Sequence, residues 1–421
     1  MEQGVNMNAQ VSFLPILKIL LPPSQDPTGQ NTASLSSITS QYQHVFLNIS
    51  VTPIECSIVC DSAWAESEFI PAIKRLPKDK AKSVLISKDK YAALCVITGS
   101  LDAGSRVADL TSPLALANIP IFFITTYYSD FILVPIRDRQ AVVKTLLGKG
   151  FVFSQDDQSR LITPASGRPH SSSYSNNTVY PYTHDWSSAI QSRASNYASE
   201  NCVDPNTTPP SPPPPSPPLS PTATLTALDE LQERTFSLLK KRHVVPYVQP
   251  NLTLVHCTGI QHHSSSSSPR GASNGGSRRN SRPSWVDTID AKLHTALVAA
   301  LVSQPRFVSV TFAMDDPPSL LLDRELLPLF GGSLVGPTGE GAGLVPVFLD
   351  LADLPFEATG IVSGVAGRLV KEMGCLVSDG ERAGGGELSY LSTARAGAVI
   401  LEEGVAGEAM AVLKRGLVEE Q

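Results

Sequence analysis

Between Tyr91 and Thr98 an unbroken apolar-rich run predicts a buried strand, and Val107, Leu110, Leu114 and Ala117 then recur at helical spacing. Ile119 to Thr126 and Asp130 to Val134 predict two more strands, and Val142, Val143, Leu146 and Leu147 a closing helix. The same order returns far downstream. Val345 to Leu351 predicts a strand, and Val362, Val365, Leu369 and Met373 make one face of a helix opened by Gly360. Leu388 to Thr393 and Ala398 to Leu401 predict strands, and Val405, Ala409, Val412 and Leu413 a last helix. Val107, Leu110 and Leu114 lie 255 positions before Val362, Val365 and Leu369, whereas the closing helices are offset by 267. A glycine-rich insertion around Gly380 to Glu387 accounts for the difference, so the pattern reads as an internal duplication.

Each stretch also has an earlier part. Leu252 to Cys257 predicts a strand, Ser284 to Asp287 a capping box, Ile289, Leu293, Leu297 and Leu301 a helix face, and Phe307 to Phe312 a returning strand. In the first half a helix over Leu14 to Leu21 precedes a strand at Val45 to Ile49. Alternation at Ile54, Cys56, Ile58 and Cys60 then predicts a strand with that face turned inward. No strand is read before that first helix.

Between these regions the periodicity fades. Nine of the thirteen residues from Pro209 to Pro221 are proline, which removes backbone donors and favours extended chain. Ser264 to Ser268 is an unbroken serine run inside a second polar tract. Neither tract has the apolar surface to offset its ordering entropy, and both are expected to be disordered. Leu228, Leu231, Leu238 and Leu239 predict a short amphipathic helix between them. Two folded halves are therefore expected, at about 8–153 and 244–421.

Composition narrows the function classes. The net charge of −6 offers no basic face for a nucleic-acid backbone, so nucleic-acid binding is not expected. No segment is apolar for long enough to span a bilayer, and the run from Val11 to Leu21 lacks a basic leader. The six cysteines are scattered with no CxxC pair, which fits reduced thiols in the cytosol. No G-x-S-x-G, H-E-x-x-H or Walker A motif is present, and no cofactor and no enzymatic activity are expected. His256, Cys257, His262 and His263 could be drawn together as metal ligands, but an incidental polar cluster is the preferred reading.

A binding site is easier to build. Glycine between a strand and a helix lets backbone approach a ligand, and the free N–H groups of the helix start favour a carboxylate. Gly360, Ile361 and Val362 have this arrangement, as do Gly104 and Ser105. Gly360 could equally do no more than permit the turn.

The unit strand, Gly, helix, strand, strand, helix resembles the ACT domain, a βαββαβ ligand-binding module. Phe356-Glu-Ala-Thr-Gly-Ile-Val-Ser-Gly-Val-Ala-Gly-Arg-Leu is close to its signature. Together with Thr125-Thr-Tyr-Tyr-Ser-Asp-Phe-Ile-Leu-Val134, it resembles the CASTOR family of cytosolic arginine sensors, with four ACT domains in two halves. The resemblance implies an α+β fold of four tandem ACT-like units: 8–70, lacking its first strand, 80–153, 244–333 and 344–416. A Pro/Ser-rich linker (154–227) and a short helix (228–243) would separate the halves, with a disordered insertion at 262–283.

By the same resemblance, an amino acid lies between the second units of the two halves. It would be contacted by Thr125, Thr126, Asp130, Gly104, Thr359, Gly360, Ile361, Val362, Ser392 and Thr393. The family's acidic ligand residues fall at Gly397 and Ala358, and Arg395 sits beside the site, so a neutral or acidic amino acid fits better than arginine. Asp130 serves equally as a strand cap, and Tyr127 and Tyr128 read as packing residues. The implied partner is a protein complex upstream of target-of-rapamycin signalling, and a homodimer is a further assembly to test. The alternatives are a ligand-free scaffold working through its disordered tracts, or a regulatory subunit of an amino-acid biosynthetic enzyme. Ser281, in Arg278-Arg-Asn-Ser281, matches a basophilic kinase pattern. The proline run fits an SH3 or WW ligand, or a plain spacer.

Overall fold

The computed structural model describes residues 9–20, 46–96, 105–153, 161–164, 221–260, 291–313, 316–337, 343–355, 357–373 and 388–418. Their strands in chain order are β1 (Phe46–Val51), β2 (Cys56–Val59), β3 (Tyr91–Val96), β4 (Phe122–Thr125), β5 (Asp130–Pro135), β6 (Phe151–Phe153), β7 (Leu161–Pro164) and β8 (Leu254–Gly259). These are followed by β9 (Val308–Ala313), β10 (Ser319–Asp323), β11 (Leu334–Val335), β12 (Leu344–Asp350), β13 (Ser389–Ser392) and β14 (Ala396–Glu402). The longer helices are α1 (Ala9–Leu20), α2 (Arg106–Leu116), α3 (Arg139–Leu147), α4 (Pro221–Lys241), α5 (Ala291–Val302), α6 (Ile361–Met373) and α7 (Glu403–Leu417). The fold is α+β.

The strands join in one sheet of order β2-β1-β9-β10-β8-β12-β14-β13-β4-β5-β3-β7-β6, with β11 on β8. Pairing is antiparallel except between β3 and β7. Three segments share one connection pattern. β3 pairs with β5 and β5 with β4, β12 pairs with β14 and β14 with β13, and β8 pairs with β10 and β10 with β9. In each a helix follows the first strand: α2, α6 or α5.

Strand alternation sends side chains to two faces. One face packs under helices: α2, α6 and α7 bury Val107, Leu110, Leu114, Val365, Leu369, Val412 and Leu413 against Val347, Leu349 and Val399. A separate cluster joins α1 and α5, through Ile16, Leu293 and Leu297, to Leu47, Ile49, Val308 and Val310. The other face turns inward, where Phe46, Phe307 and Leu321 meet Phe131, Leu133 and Phe348. Phe46 and Phe131 have ring centroids 4.8 Å apart, so β1 and β5, distant along the sheet, pack face to face.

Several expectations shift. β10 was not read from sequence: Ser319-Leu-Leu-Leu-Asp323 is buried throughout and has no alternation to reveal it. Within 154–227, where no structure was expected, β7 pairs with β3 and β6, and α4 begins at Pro221 instead of 228. Cys56 is exposed, so the alternation through Ile54 to Cys60 does not make a uniformly inward face on β2. Cys56, Cys60, Cys95 and Cys257 are free thiols. The capping box at 284–287, the insertion at 380–387 and the tract 262–283 lie outside the described residues.

Candidate functional site

The helices α2 and α6 face one another across the boundary between 80–153 and 344–416, where the Ser112 and Ser363 hydroxyls lie 2.9 Å apart. Beneath them β4 and β13 meet in register only at Ile124 and Leu391. The backbone N–H of Tyr390 donates to Thr125 Oγ1 at 3.0 Å and closes the inner side of this seam. A cavity of about 70 Å³ remains between helices and strands. Thr111, Ala115, Ile119 and Phe122 line it from one side, and Leu351, Gly360 to Ser363, Tyr390, Ser392 and Thr393 from the other.

Gly360 sets the geometry of the α6 start. Its φ of +82° is unfavourable for residues with a Cβ, and a Cβ there would lie 3.0 Å from Leu231 Cδ1 and 3.3 Å from Thr235 Oγ1. The Gly360 carbonyl accepts from Gly364 N–H at 2.7 Å and from Thr235 Oγ1 at 3.3 Å. The first turn of α6 has N–H groups with no intrahelical acceptor, and with the helix dipole they favour an anion at Ile361 and Val362. Those two residues border the cavity.

Charge gathers among the cavity residues that reach solvent. Arg137 Nη1 donates to both carboxylate oxygens of Asp89 at 2.9 Å, and its Nη2 lies 3.7 Å from Glu357 Oε1. All three line the cavity. Deeper, the wall is aromatic and aliphatic: Tyr91 stacks edge-on to Phe122 at 5.5 Å, and Tyr390 is fully buried. Burial pushes both phenols above their ordinary pKa, so each keeps its proton at neutral pH.

The cavity collects Gly360, Ile361, Val362, Ser392 and Thr393 from the residues expected at the site. Thr359 lines a neighbouring recess with Asn118, Arg234 and Glu357. Thr125 sits at the seam with its hydroxyl engaged by Tyr390 N–H. Thr126 Oγ1 donates to Ser129 O at 2.7 Å and closes the β4–β5 turn. Asp130 is buried and pairs with Arg106 Nε at 2.7 Å, away from the cavity lining. Gly104 and Ser281 lie outside the described residues.

Three participants were missed in the sequence. Tyr390 read only as a strand residue, and Arg137 carried no motif. Glu55 lies 338 positions from Thr393, whose Oγ1 donates to Glu55 Oε1 at 2.6 Å; Arg395 N–H donates to the same oxygen at 2.6 Å. The turn between β1 and β2 thereby grips the turn between β13 and β14. Position 397 has no room for a side chain as the strands stand: a Cβ there would lie 2.7 Å from the Tyr390 hydroxyl.

His256 and Cys257 point to opposite faces of β8. Cys257 belongs to the cluster under α5, while His256 meets Tyr127 at 5.5 Å on the inward side. They cannot share a metal, and among the described residues no group of three potential ligands gathers. Tyr127 also packs edge-on against Tyr128. No helix among the described residues is long and apolar enough to cross a membrane.

No curated protein matches the chain. Among solved structures, a Vibrio cholerae protein of unknown function, described as a possible transport protein, is 14% identical over 44% of this chain and 98% of its own. Its TM-score is 0.25, too low to carry an argument. A family model described as the ACT domain matches residues 86–147. That span supplies β3, α2, β4, β5 and α3, and so one wall of the cavity is part of an ACT domain.

Proposed function

We propose that the chain is a non-catalytic regulator that binds an amino acid in the cavity between residues 86–147 and 344–416. The observation that carries this reading is the meeting of Gly360 and the α6 start with the wall of the ACT domain across one cavity. The α-carboxylate would take the free N–H groups at Ile361 and Val362. Asp89 and Glu357 offer oxygen acceptors to the α-ammonium, with Arg137 holding them in place.

The shared connection pattern of 91–147, 254–323 and 344–417 supports four tandem ACT-like units, with α1, β1 and β2 as a unit short of its first strand. By resemblance to the CASTOR sensors, the bound amino acid would change how the protein meets a partner upstream of target-of-rapamycin signalling in the cytosol. Glu55 gives a route for such a change, because it ties a turn of the first unit to Thr393 at the cavity.

A thermal-shift panel of the twenty amino acids on the full chain tests the binding. A ligand that binds only the folded state adds about 2.7 kcal/mol at one hundred times its Kd, a readily measured rise in Tm. One or a few responsive amino acids are expected. A cooperatively folded sample that responds to none withdraws the reading.

A further inference from the structure

Tyr390 is buried and lines the cavity, and its hydroxyl has no hydrogen-bond partner among the described residues. A buried polar group left unpaired is destabilising, and native proteins rarely retain one without a use. Two features hold the hydroxyl where it is. Its ring stands on the helix-facing side of β13, in the cluster with Val347, Leu349 and Val399. Its oxygen fills the space that a side chain at position 397 would need, since a Cβ on Gly397 would come within 2.7 Å of it. Gly397 is paired with Ser392, another cavity residue, so the exchange of a side chain for a neighbour's hydroxyl takes place at the cavity floor.

The rest of the lining makes this hydroxyl selective. The carboxylates among the lining residues, Asp89 and Glu357, belong to the Arg137 cluster, and Asp89 is held by it in two hydrogen bonds. Tyr390 shares its apolar cluster with Leu351 and Val362, which also line the cavity, an environment that disfavours a charged side-chain end. The Thr125 hydroxyl at the seam accepts from Tyr390 N–H.

We infer that Tyr390 is the specificity-determining residue of the site, and that the ligand is an amino acid whose side chain ends in an uncharged hydrogen-bonding group, a hydroxyl or carboxamide. This rests on the amino-acid reading above and deepens it. Such an end satisfies the phenol without bringing a charge into an apolar wall. A purely aliphatic side chain of the same size would leave the phenol unpaired, the circumstance in which sites discriminate most strongly.

The test is calorimetric titration of the full-length protein with near-isosteric pairs, L-threonine against L-valine and L-glutamine against L-methionine. It is done on the wild type, Tyr390→Phe, Gly397→Ala and the double variant. The wild type should prefer the polar member of one pair by about tenfold or more. Tyr390→Phe keeps the ring and should abolish that preference, chiefly by weakening the polar member. Gly397→Ala should weaken the polar ligand when introduced alone and have less effect when combined with Tyr390→Phe.

Equal binding of valine and threonine, or an unchanged preference in Tyr390→Phe, would mean that solvent meets the hydroxyl and would overturn the inference while leaving amino-acid binding intact. Preferential binding of L-arginine or L-glutamate would overturn it too. Absence of binding by any amino acid to the folded wild type would remove the amino-acid reading and this inference together.

Discussion

Among the described residues, strands from different halves meet at two seams, and these are built in opposite ways. Along the first, β1 runs beside β9 over their full length, from Phe46 opposite Ala313 to Val51 opposite Val308. Its inward face is polar and closed: Asn48 Nδ2 donates to Ser309 Oγ at 3.2 Å and Thr311 Oγ1 at 3.0 Å, Ser50 Oγ donates to Asn48 Oδ1 at 2.8 Å, and Ser50 and Ser309 lie 2.8 Å apart. Along the second, β4 and β13 touch in register at one pair, and helices α2 and α6 complete the junction. A full ladder uses its backbone and side-chain groups on one another. A seam held at one strand pair and at the helices leaves space between, and the Tyr390 hydroxyl at its edge finds no partner among the described residues.

The largest effect that would sharpen this comparison is expected at His256, which lies between the seams. It faces Tyr127 of the β4–β5 turn, and its Nε2 is 3.3 Å from the Ser319 hydroxyl. Burial first, and the nearby Arg106 guanidinium second, lower its pKa from 6.5 to about 4. Arg106 is in turn paired with the buried Asp130 carboxylate. Because the folded value lies below the unfolded one, the unfolded chain binds the proton more readily between pH 6.5 and pH 4. Stability contributed by neutral His256 is therefore complete above pH 6.5 and is lost as pH falls toward 4, by about 3 kcal/mol. Denaturant titrations across that range should show the decline, and His256→Asn should flatten it. An equally steep decline in the variant would place the acid sensitivity elsewhere.

Next in size is the closed seam itself. Asn48→Leu preserves much of the volume but leaves the Ser309 and Thr311 hydroxyls with fewer partners, and should lower unfolding free energy by about 2 kcal/mol. Chemical denaturation measures this, and a loss under about 0.5 kcal/mol would show that the polar network is not what closes the seam. The smallest effect is expected at the open seam: Ser112→Ala removes the hydroxyl that meets Ser363 and should cost about 0.5–1 kcal/mol. A double-mutant cycle with Ser363→Ala separates that contact from the bond of Ser112 Oγ to Ala108 O at 2.6 Å.

How far the site was legible depended on how local its causes were. The helical spacing of Val107, Leu110 and Leu114, and of Val362, Val365 and Leu369, announced α2 and α6, whose faces are buried as the period required. Gly360 was legible as a turn-and-helix start, and its positive φ agrees. Thr125 was read as a site residue, and its hydroxyl bonds to Tyr390 N–H, a partner 265 positions away. Asp130 carried the motif and met Arg106 instead of the cavity.

By itself the sequence determined the repeating order of strands and helices, the position of the glycine turn, and the absence of a familiar catalytic motif, because periodicity and turn chemistry act over a few residues. Only the tertiary structure decided which strands became neighbours, and with that which polar groups were satisfied. Glu55 found Thr393 and Arg395, Asn48 found Ser309 and Thr311, and the Tyr390 hydroxyl found the space above Gly397. A hydrogen bond depends on distances of about 3 Å between atoms whose separation along the chain is unrelated to their separation in space, and only folding fixes those distances.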